Sequence, residues 1–210
     1  SIGINGMQQN NSNHGAEQLI PDYQMNDAGV YTFLQKEWKK STISGGMRYD
    51  LRKMNVKDLL DGTDIKGAAF KRNFGNFSAS IGSTIGAGKN INIKLNLARA
   101  YRAPSIPELA SNGSHEGTSR YEYGDKNLKS ETSIQSDAGI EFSNEHFSLN
   151  LAAYYNHFNN FIFYRKLLGA NGTDSLVDVD GDMLTAFTFS QRRANISGLE
   201  ISFDLHPHPF

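Results

Sequence analysis

Apolar and polar residues alternate along much of this chain. In the stretch 91–98, which reads INIKLNLA, isoleucine and leucine fill the odd positions, and Asn, Lys, Asn and Ala fill the even ones. The stretches 134–142, 147–156 and 199–205 have the same pattern. A repeat of two residues is typical of a β-strand with one apolar side, because successive side chains point to opposite faces. Helical periodicity is weak throughout, and its best candidate, the segment 56–60, is assigned to a loop.

The alternation predicts an all-β chain with about eight strands. They lie near residues 2–9, 28–38, 41–52, 74–86, 90–101, 131–143, 146–164 and 185–205. Short turns and long connections alternate between these strands. The short turns lie at 39–40, 88–89, 144–145 and 206–209, and the long connections near 10–27, 53–73, 102–130 and 165–184. A tight turn joins only antiparallel strands, so we predict an up-and-down meander in which strand order equals chain order and all neighbours are antiparallel.

The regular spacing of the turns favours a transmembrane β-barrel. Barrels of the bacterial outer membrane have short turns at one end and long loops at the other. A compact soluble domain seldom contains several structureless loops of such length. We therefore expect the apolar rows to face lipid and Asn92, Asn96, Asn150 and Glu200 to face the interior.

Aromatic residues cluster toward the ends of the predicted strands. They are Trp38, Tyr49, Tyr101, Phe142, Phe147, Tyr155 and Phe203. Such positions suit an aromatic girdle at a membrane interface, although aromatic residues in any β protein can scatter in this way.

Composition excludes several classes of function. The chain has 210 residues and no cysteine, so it has no disulfide framework, thiolate metal site or cysteine nucleophile. Its net charge of −1 includes no basic excess, and we expect no nucleic-acid partner. Mean hydropathy is −0.50, which fits either a soluble protein or a membrane barrel with polar loops and a polar lumen. A soluble all-β binding module or adhesin therefore remains the alternative at this point.

Two segments carry a more specific signal. Residues 101–109 read YRAPSIPEL, and residues 124–131 read GDKNLKSE. This pair closely resembles the strand-and-loop motif of TonB-dependent outer-membrane receptors. The matching positions are Tyr101, Arg102, Ala103, Pro104, Glu108, Leu109, Gly124, Asn127, Leu128 and Glu131. Lys126 and Ser130 replace prolines that are usual in the family. Weaker matches include Gly198 and Glu200 in a later strand and the sequence GMRYD from residue 46.

The resemblance implies a fold and a function. Receptors of this family are barrels of about 22 strands around a plug. Residues 1–210 would be a partial barrel domain without the plug and the TonB box, and would contact TonB only through the missing N-terminal region. The family implies an outer-membrane location in a Gram-negative bacterium, contact with lipid, no enzyme activity and no cofactor.

The resemblance also implies import of a scarce nutrient. The expected ligands are a ferric siderophore, haem, cobalamin or a metal ion, with uptake of an oligosaccharide or peptide as the alternative. A fragment of such a barrel would expose two strand edges, through which we expect copies to associate.

The long connection 102–130 contains the candidate ligand-binding residues. His115 and Glu116 lie near its tip, and Tyr121 and Tyr123 follow, while His14 lies on another long loop. Imidazole and carboxylate groups suit a transition metal or a ferric complex. The alternative is that these side chains are simply solvated.

Two further groups resemble metal sites only weakly. Asp178, Asp180 and Asp182 mimic the start of a calcium loop, but the glycine lies at position 4 rather than 6 and position 12 is phenylalanine. His206 and His208 lie on a predicted short turn. We assign both groups to polar connections and predict no resident metal.

Arg102 is expected to have a structural role. Pro104 and Pro107 lack backbone donors and end the preceding strand. Arg102 can then pair bidentately with a carboxylate, either Glu108 or Glu131, and attach the root of the loop to the barrel wall.

Overall fold

A computed structural model describes residues 1–14, 18–115 and 118–206. Within them lie thirteen strands and one short helix. The strands are β1 (Ile2–Asn11), β2 (Tyr23–Trp38), β3 (Ser41–Val56), β4 (Leu59–Asp61), β5 (Asp64–Gly67), β6 (Phe70–Gly86), β7 (Ile91–Arg102), β8 (Asn112–His115), β9 (Arg120–Tyr123), β10 (Glu131–Ser143), β11 (Phe147–Lys166), β12 (Leu176–Val179) and β13 (Asp182–Leu205). The helix is α1 (Ile106–Ala110). No helix in the described ranges is long and apolar enough to cross a membrane.

Eight long strands form an antiparallel meander in chain order. They are β1, β2, β3, β6, β7, β10, β11 and β13. The predicted count of eight is too low, because eleven strands belong to the main sheet and β4 and β5 form a separate hairpin. The additional strands are short and lie in the connections. The sheet is open.

One pair of neighbours is parallel, so the prediction of an entirely antiparallel sheet is wrong. After α1 the chain forms the hairpin β8–β9, and β9 then pairs in parallel with β13, from Thr185↔Arg120 to Thr188↔Tyr123. The long excursion of the connection 103–130 allows this, because it returns its hairpin to the far edge of the last strand. A tight turn could not do so.

The register places the apolar rows on one face, as predicted. Ile93 pairs with Ile140, which pairs with Leu151, which pairs with Ile201. The adjacent polar row joins Asn96 to Asp137, Tyr154 and Gly198. Paired residues of a sheet share a face and consecutive residues do not. We call the side with Ile93 the outer face and the side with Asn96 the inner face.

Aromatic rings meet on the outer face at the end with short turns. Phe142 stacks on Phe147, with ring centroids 5.1 Å apart, and Phe147 lies 5.7 Å from Phe203. Trp38 lies on the same face and is 52% exposed. This row of aromatic residues fits an interfacial position at the border of an apolar belt.

At the loop end, the polarity of the two faces is reversed. Met25, Met54, Val56 and Phe74 lie on the inner face and are buried, whereas the residues between them are polar and exposed. The strands therefore continue about four residues beyond the predicted ends on β2, β3 and β6. The buried residues form the core beneath the folded connection 103–130.

Candidate ligand cavity and its supporting motif

The connection after β7 begins with a capped helical turn. The backbone N–H of Ser105 donates to Glu108 Oε2 at 2.7 Å, and the N–H of Glu108 donates to Ser105 Oγ at 3.4 Å. This is a capping box, which satisfies two donors that a helix start leaves without partners. Pro107 lies in the first turn, where its missing N–H does no harm. The sequence does not predict this helical turn, because five residues are too few to show a helical period.

Arg102 contacts both carboxylates named from the sequence. Its Nη1 lies 2.9 and 2.8 Å from the two oxygens of Glu108, and its Nη2 lies 3.4 Å from Glu131 Oε2. The same oxygen of Glu131 accepts the backbone N–H of Ile162 at 2.8 Å. One carboxylate thus joins β7, β10 and β11. Glu108 has two functions, because it caps α1 and holds Arg102.

Apolar side chains of the motif fix the connection against the sheet. Ala103, Ile106, Leu109 and Leu128 belong to the same core as the buried inner-face residues. Pro104 is also fully buried. Burial of a leucine or isoleucine stabilises a fold by about 1.5–3 kcal/mol. These contacts explain why the connection is folded rather than extended into solvent.

Gly124 lies where a side chain does not fit. A Cβ on it would be 2.4 Å from the backbone nitrogen of Ala110. The close approach allows the N–H of Gly124 to donate to the carbonyl of Ser111 at 2.7 Å. Only glycine permits a backbone to pass this close to another. At Gly198, by contrast, the nearest atoms belong to the ring of Tyr154, which can move.

The tyrosines of the connection have different surroundings. Tyr121 is buried, and its hydroxyl donates to Asn112 Oδ1 at 2.9 Å. Burial raises the pKa of Tyr121, because the phenolate would lose solvation. Its ring lies 4.8 Å from the ring of Tyr123. Tyr121 therefore supports the hairpin, and Tyr123 lies at the surface of the cavity described next.

A cavity of about 550 Å³ lies between the folded connection, the segment after β3 and the loop end of β11 and β13. Its volume is within the usual range for small-molecule sites. The polar and charged residues on its wall are Lys57, Ser111, Asn112, Tyr123, Asp125, Lys126, Asn127, Arg165, Thr188 and Ser190. Leu59, Phe70, Leu109, Leu167 and Phe189 supply apolar wall.

The cavity wall has an excess of positive charge. Lys57, Lys126 and Arg165 face a single carboxylate, that of Asp125. Asp125 Oδ1 accepts the N–H of Asn127 at 2.8 Å, and Arg165 Nε donates to Ser190 Oγ at 2.7 Å. Lys57 has an ion pair outside the cavity, with Asp22 at 3.5 Å. Such a wall suits an anionic ligand with apolar parts.

The predicted ligand residues that the structure describes lie in different places. Of these four, Tyr123 alone lines this cavity. His115 ends β8 and is exposed, and His14 is exposed at the start of another connection. Glu116 lies outside the described residues. Arg165 and Lys57 are not predicted from the sequence, because Lys57 lies 44 residues before the motif, Arg165 lies 34 residues after it, and no local pattern marks either.

The acidic segment before β13 forms a hairpin turn. Asp180 and Gly181 have φ of 54° and 91°, and the N–H of Gly181 donates to Asp178 Oδ1 at 2.9 Å. Positive φ at both central residues is typical of a tight turn between strands. No group of three or more His, Asp or Glu residues able to hold a metal ion occurs in the described part of the chain.

Paired charges line the inner face below the cavity. Arg52 Nη2 lies 2.6 Å from Asp27 Oδ2, and Arg48 Nε lies 2.6 Å from Asp50 Oδ2. Asn96 Nδ2 donates to Asp137 Oδ2 at 2.9 Å. Glu200 shares this face, opposite Ala152. A wet interior accommodates such groups, whereas a face toward lipid would not.

Comparisons with known proteins agree with this architecture. The hemophore receptor HasR of Serratia marcescens has 17% sequence identity and a TM-score of 0.68, over 92% of this chain and 34% of the receptor. The copper transporter OprC has 17% identity and a TM-score of 0.70, over 89% of this chain and 27% of the transporter. The FrpB iron transporter of Neisseria meningitidis has 14% identity and a TM-score of 0.60, over 90% and 24%.

At these identities the likeness concerns the fold, and the chain spans about a third or less of each structure. The family model described as TonB dependent receptor-like, beta-barrel matches residues 3–206. Its members are outer-membrane receptors and transporters of Gram-negative bacteria, not enzymes. The match removes the alternative of a soluble module or adhesin. This chain belongs to the family of TonB-dependent receptors, as part of the β-barrel domain.

Proposed function

We propose that the complete protein imports an anionic metal chelate, such as a ferric siderophore or haem, across the outer membrane by TonB-coupled transport. The observation that carries the proposal is the cavity wall, where three cations face one carboxylate. Neither Lys126 nor Arg165 belongs to any of the ion pairs among the described residues. Their charges are available to a ligand.

The chemistry of the wall favours a chelate over a bare metal ion. A transition metal binds to clustered imidazole, carboxylate or sulfur ligands, whereas amines and guanidinium groups bind anions. Apolar side chains such as Phe70 and Phe189 next to the cations suit a ligand with aromatic or macrocyclic parts. A neutral oligosaccharide has no negative charge with which these three cations could pair.

Calorimetric titration of the full-length receptor tests the proposal. The probes are a ferric tricatecholate, ferric citrate, haem, cyanocobalamin, Cu²⁺ and a maltooligosaccharide. We expect at least one anionic chelate to bind, and the double variant K126Q/R165Q to weaken it by about 100-fold, roughly tenfold for each lost contact. The matched control is K39Q/K40Q, which removes two charges at the short turn of the opposite end.

Some results would overturn the proposal. Binding of Cu²⁺, cyanocobalamin or the oligosaccharide in preference to all anionic chelates would do so. Equal affinity of K126Q/R165Q and the wild type for the bound chelate would show that the cavity is not the site. TonB coupling is tested separately, by growth of a deletion strain on the bound chelate with and without TonB.

A further inference from the structure

The outer face has a distinct band of basic and amide side chains at the loop end. On β3, Lys53 and Asn55 follow Leu51 at alternate positions, and on β6, Lys71 and Asn73 have the same parity as Phe77. Lys53 pairs with Asn73, and Asn55 pairs with Lys71. These four exposed side chains therefore form one compact group, which we call the basic patch.

The basic patch directly adjoins the apolar belt. Lys53 follows the exposed Leu51 by two residues, which is about 7 Å along a strand. Asn26 on β2 pairs with Lys53 and widens the patch. On the outer face of β2, β3 and β6, no Asp or Glu occurs beyond the belt. Asp27 on β2 and Asp50 on β3 both lie on the inner face.

Several cations of the inner face, unlike those of the basic patch, form ion pairs within the chain. Arg48, Arg52, Lys94 and Arg102 each pair with an Asp or Glu. Neither Lys53 nor Lys71 takes part in any ion pair among the described residues. These four inner-face cations are therefore neutralised within the chain, whereas Lys53 and Lys71 of the basic patch have no intramolecular anion.

A second group of polar side chains lies on the same outer face, near the opposite edge of the sheet. His157 and Asn195 pair on the outer face of β11 and β13, where His157 Nδ1 lies 2.7 Å from Asn195 Oδ1. The hydroxyl of Tyr155, at the top of the belt, donates to the same oxygen at 2.9 Å. Arg193 extends this row toward the loops, is exposed and belongs to none of the ion pairs of the described chain.

We infer that the basic patch binds the phosphate groups of phosphorylated lipids in the outer leaflet, with the Arg193 row as a second contact. A lipid whose acyl chains lie along the apolar belt places its headgroup at the height of these side chains. Lysine and arginine bind phosphate through charge-assisted hydrogen bonds, and the asparagine amides supply further donors. Continuity of the cations with the belt selects a lipid rather than a soluble anion, because a soluble anion gains nothing from the adjacent apolar rows.

The test measures binding of lipid A to the full-length receptor in a zwitterionic detergent. Native mass spectrometry counts bound lipid for bisphosphorylated lipid A and for the same lipid after enzymatic removal of its phosphates. We expect the phosphorylated form to bind at least tenfold more tightly. K53Q/K71Q should lower that affinity about tenfold, and R193Q about threefold.

Two controls separate the patch from general charge effects. R192Q changes the neighbouring arginine, which points to the other side of β13, and K39Q/K40Q removes two charges at the short-turn end. Both should bind lipid A like the wild type. All six altered patch and control positions are solvent-exposed, and heat-modifiable electrophoresis verifies that each variant is folded.

Three outcomes would overturn the inference. The first is equal binding of phosphorylated and dephosphorylated lipid A. The second is an unchanged affinity in K53Q/K71Q, or an equal loss in K39Q/K40Q. The third is full displacement of lipid A by millimolar inorganic phosphate, which would indicate a soluble-anion site. Each is distinct from a failure of the proposed transport function, because none involves a chelate or the cavity.

Discussion

The carboxylate of Glu131 accepts the backbone N–H of Ile162 across 2.8 Å, at the point where β11 resumes pairing after a β-bulge. Pairing with β13 shifts between Phe158 and Phe161, and Asn160 has a φ of 55°. A bulge leaves a donor without its ladder partner. The side chain of Glu131 supplies the missing acceptor and holds Arg102 with the same oxygen.

Replacement of Glu131 should therefore loosen the root of the connection. In E131A, the N–H of Ile162 loses its acceptor and Arg102 keeps Glu108 alone, so we expect a loss of about 2–3 kcal/mol in unfolding free energy. E131Q keeps an acceptor for Ile162 and should lose about half as much. Urea unfolding of the full-length receptor in lipid vesicles measures both. Equal losses for the two variants would show that charge, not the bulge contact, dominates.

Gly124 should tolerate no side chain. In G124A, the new Cβ would lie 2.4 Å from Ala110 N and 2.6 Å from Leu109 C, both backbone atoms that cannot rotate away. We expect a destabilisation of about 1–3 kcal/mol, as for other overpacked sites, and faster proteolysis of the connection 103–130. The control is G88A, since no atom lies within 4 Å of a Cβ there. A G124A receptor as resistant to protease as G88A would contradict the prediction.

The sequence predicted the strands whose two faces have different surroundings, one apolar and one wet. Stretch 91–98 alternates because one face meets apolar surroundings and the other a wet interior, so its strand and its two faces followed directly. The same rule failed near Met54 and Phe74, where the inner face is buried under the connection. There the apolar positions change parity, and the predicted strands ended too early.

Contacts between distant segments could not be predicted from local pattern. Parallel pairing of β9 with β13 joins residues about 65 apart, and nothing in either short segment identifies the other. The cavity has the same origin, since Arg165 and Lys126 line one cavity only after the connection folds back. The family motif, in contrast, marked Arg102, Glu108 and Glu131 because their spacing lies within one connection.

A new charge should destabilise the barrel on the outer face of β7 but not on its inner face. L95K places an ammonium group in the middle of the outer apolar row, and a lysine near the bilayer midplane of a barrel costs about 2–4 kcal/mol. N92K places the same group on the wet inner face and should be nearly neutral. The fraction of full-length receptor that folds into lipid vesicles measures the difference. Similar folding of both variants would contradict the assignment of the faces.

The side chain of Gln191 forms with Lys129 the two hydrogen bonds that a neighbouring strand would otherwise form. Its Oε1 accepts the N–H of Lys129 at 2.8 Å, while its Nε2 donates to the carbonyls of Lys129 at 2.8 Å and of Asn160 at 2.9 Å. One side-chain amide thereby serves both backbone groups of Lys129 and joins the returning connection to the bulge of β11.

The variant Q191M keeps the length of the side chain and removes all three hydrogen bonds. We expect a loss of about 1–3 kcal/mol in unfolding free energy and earlier cleavage between residues 103 and 130 by a protease added to the folded receptor. Q191E keeps the acceptor for Lys129 and loses both donated hydrogen bonds. Its cleavage rate should lie between those of Q191M and the wild type if the accepted bond contributes more than the donated ones. The control Q135M changes an amide of the inner face that contacts Asp137 within one strand, and should leave the connection protected. If Q191M and Q135M are cleaved at the same rate, Gln191 does not fasten the connection, and the ion pairs of Arg102 and the apolar contacts of the motif hold it without Gln191.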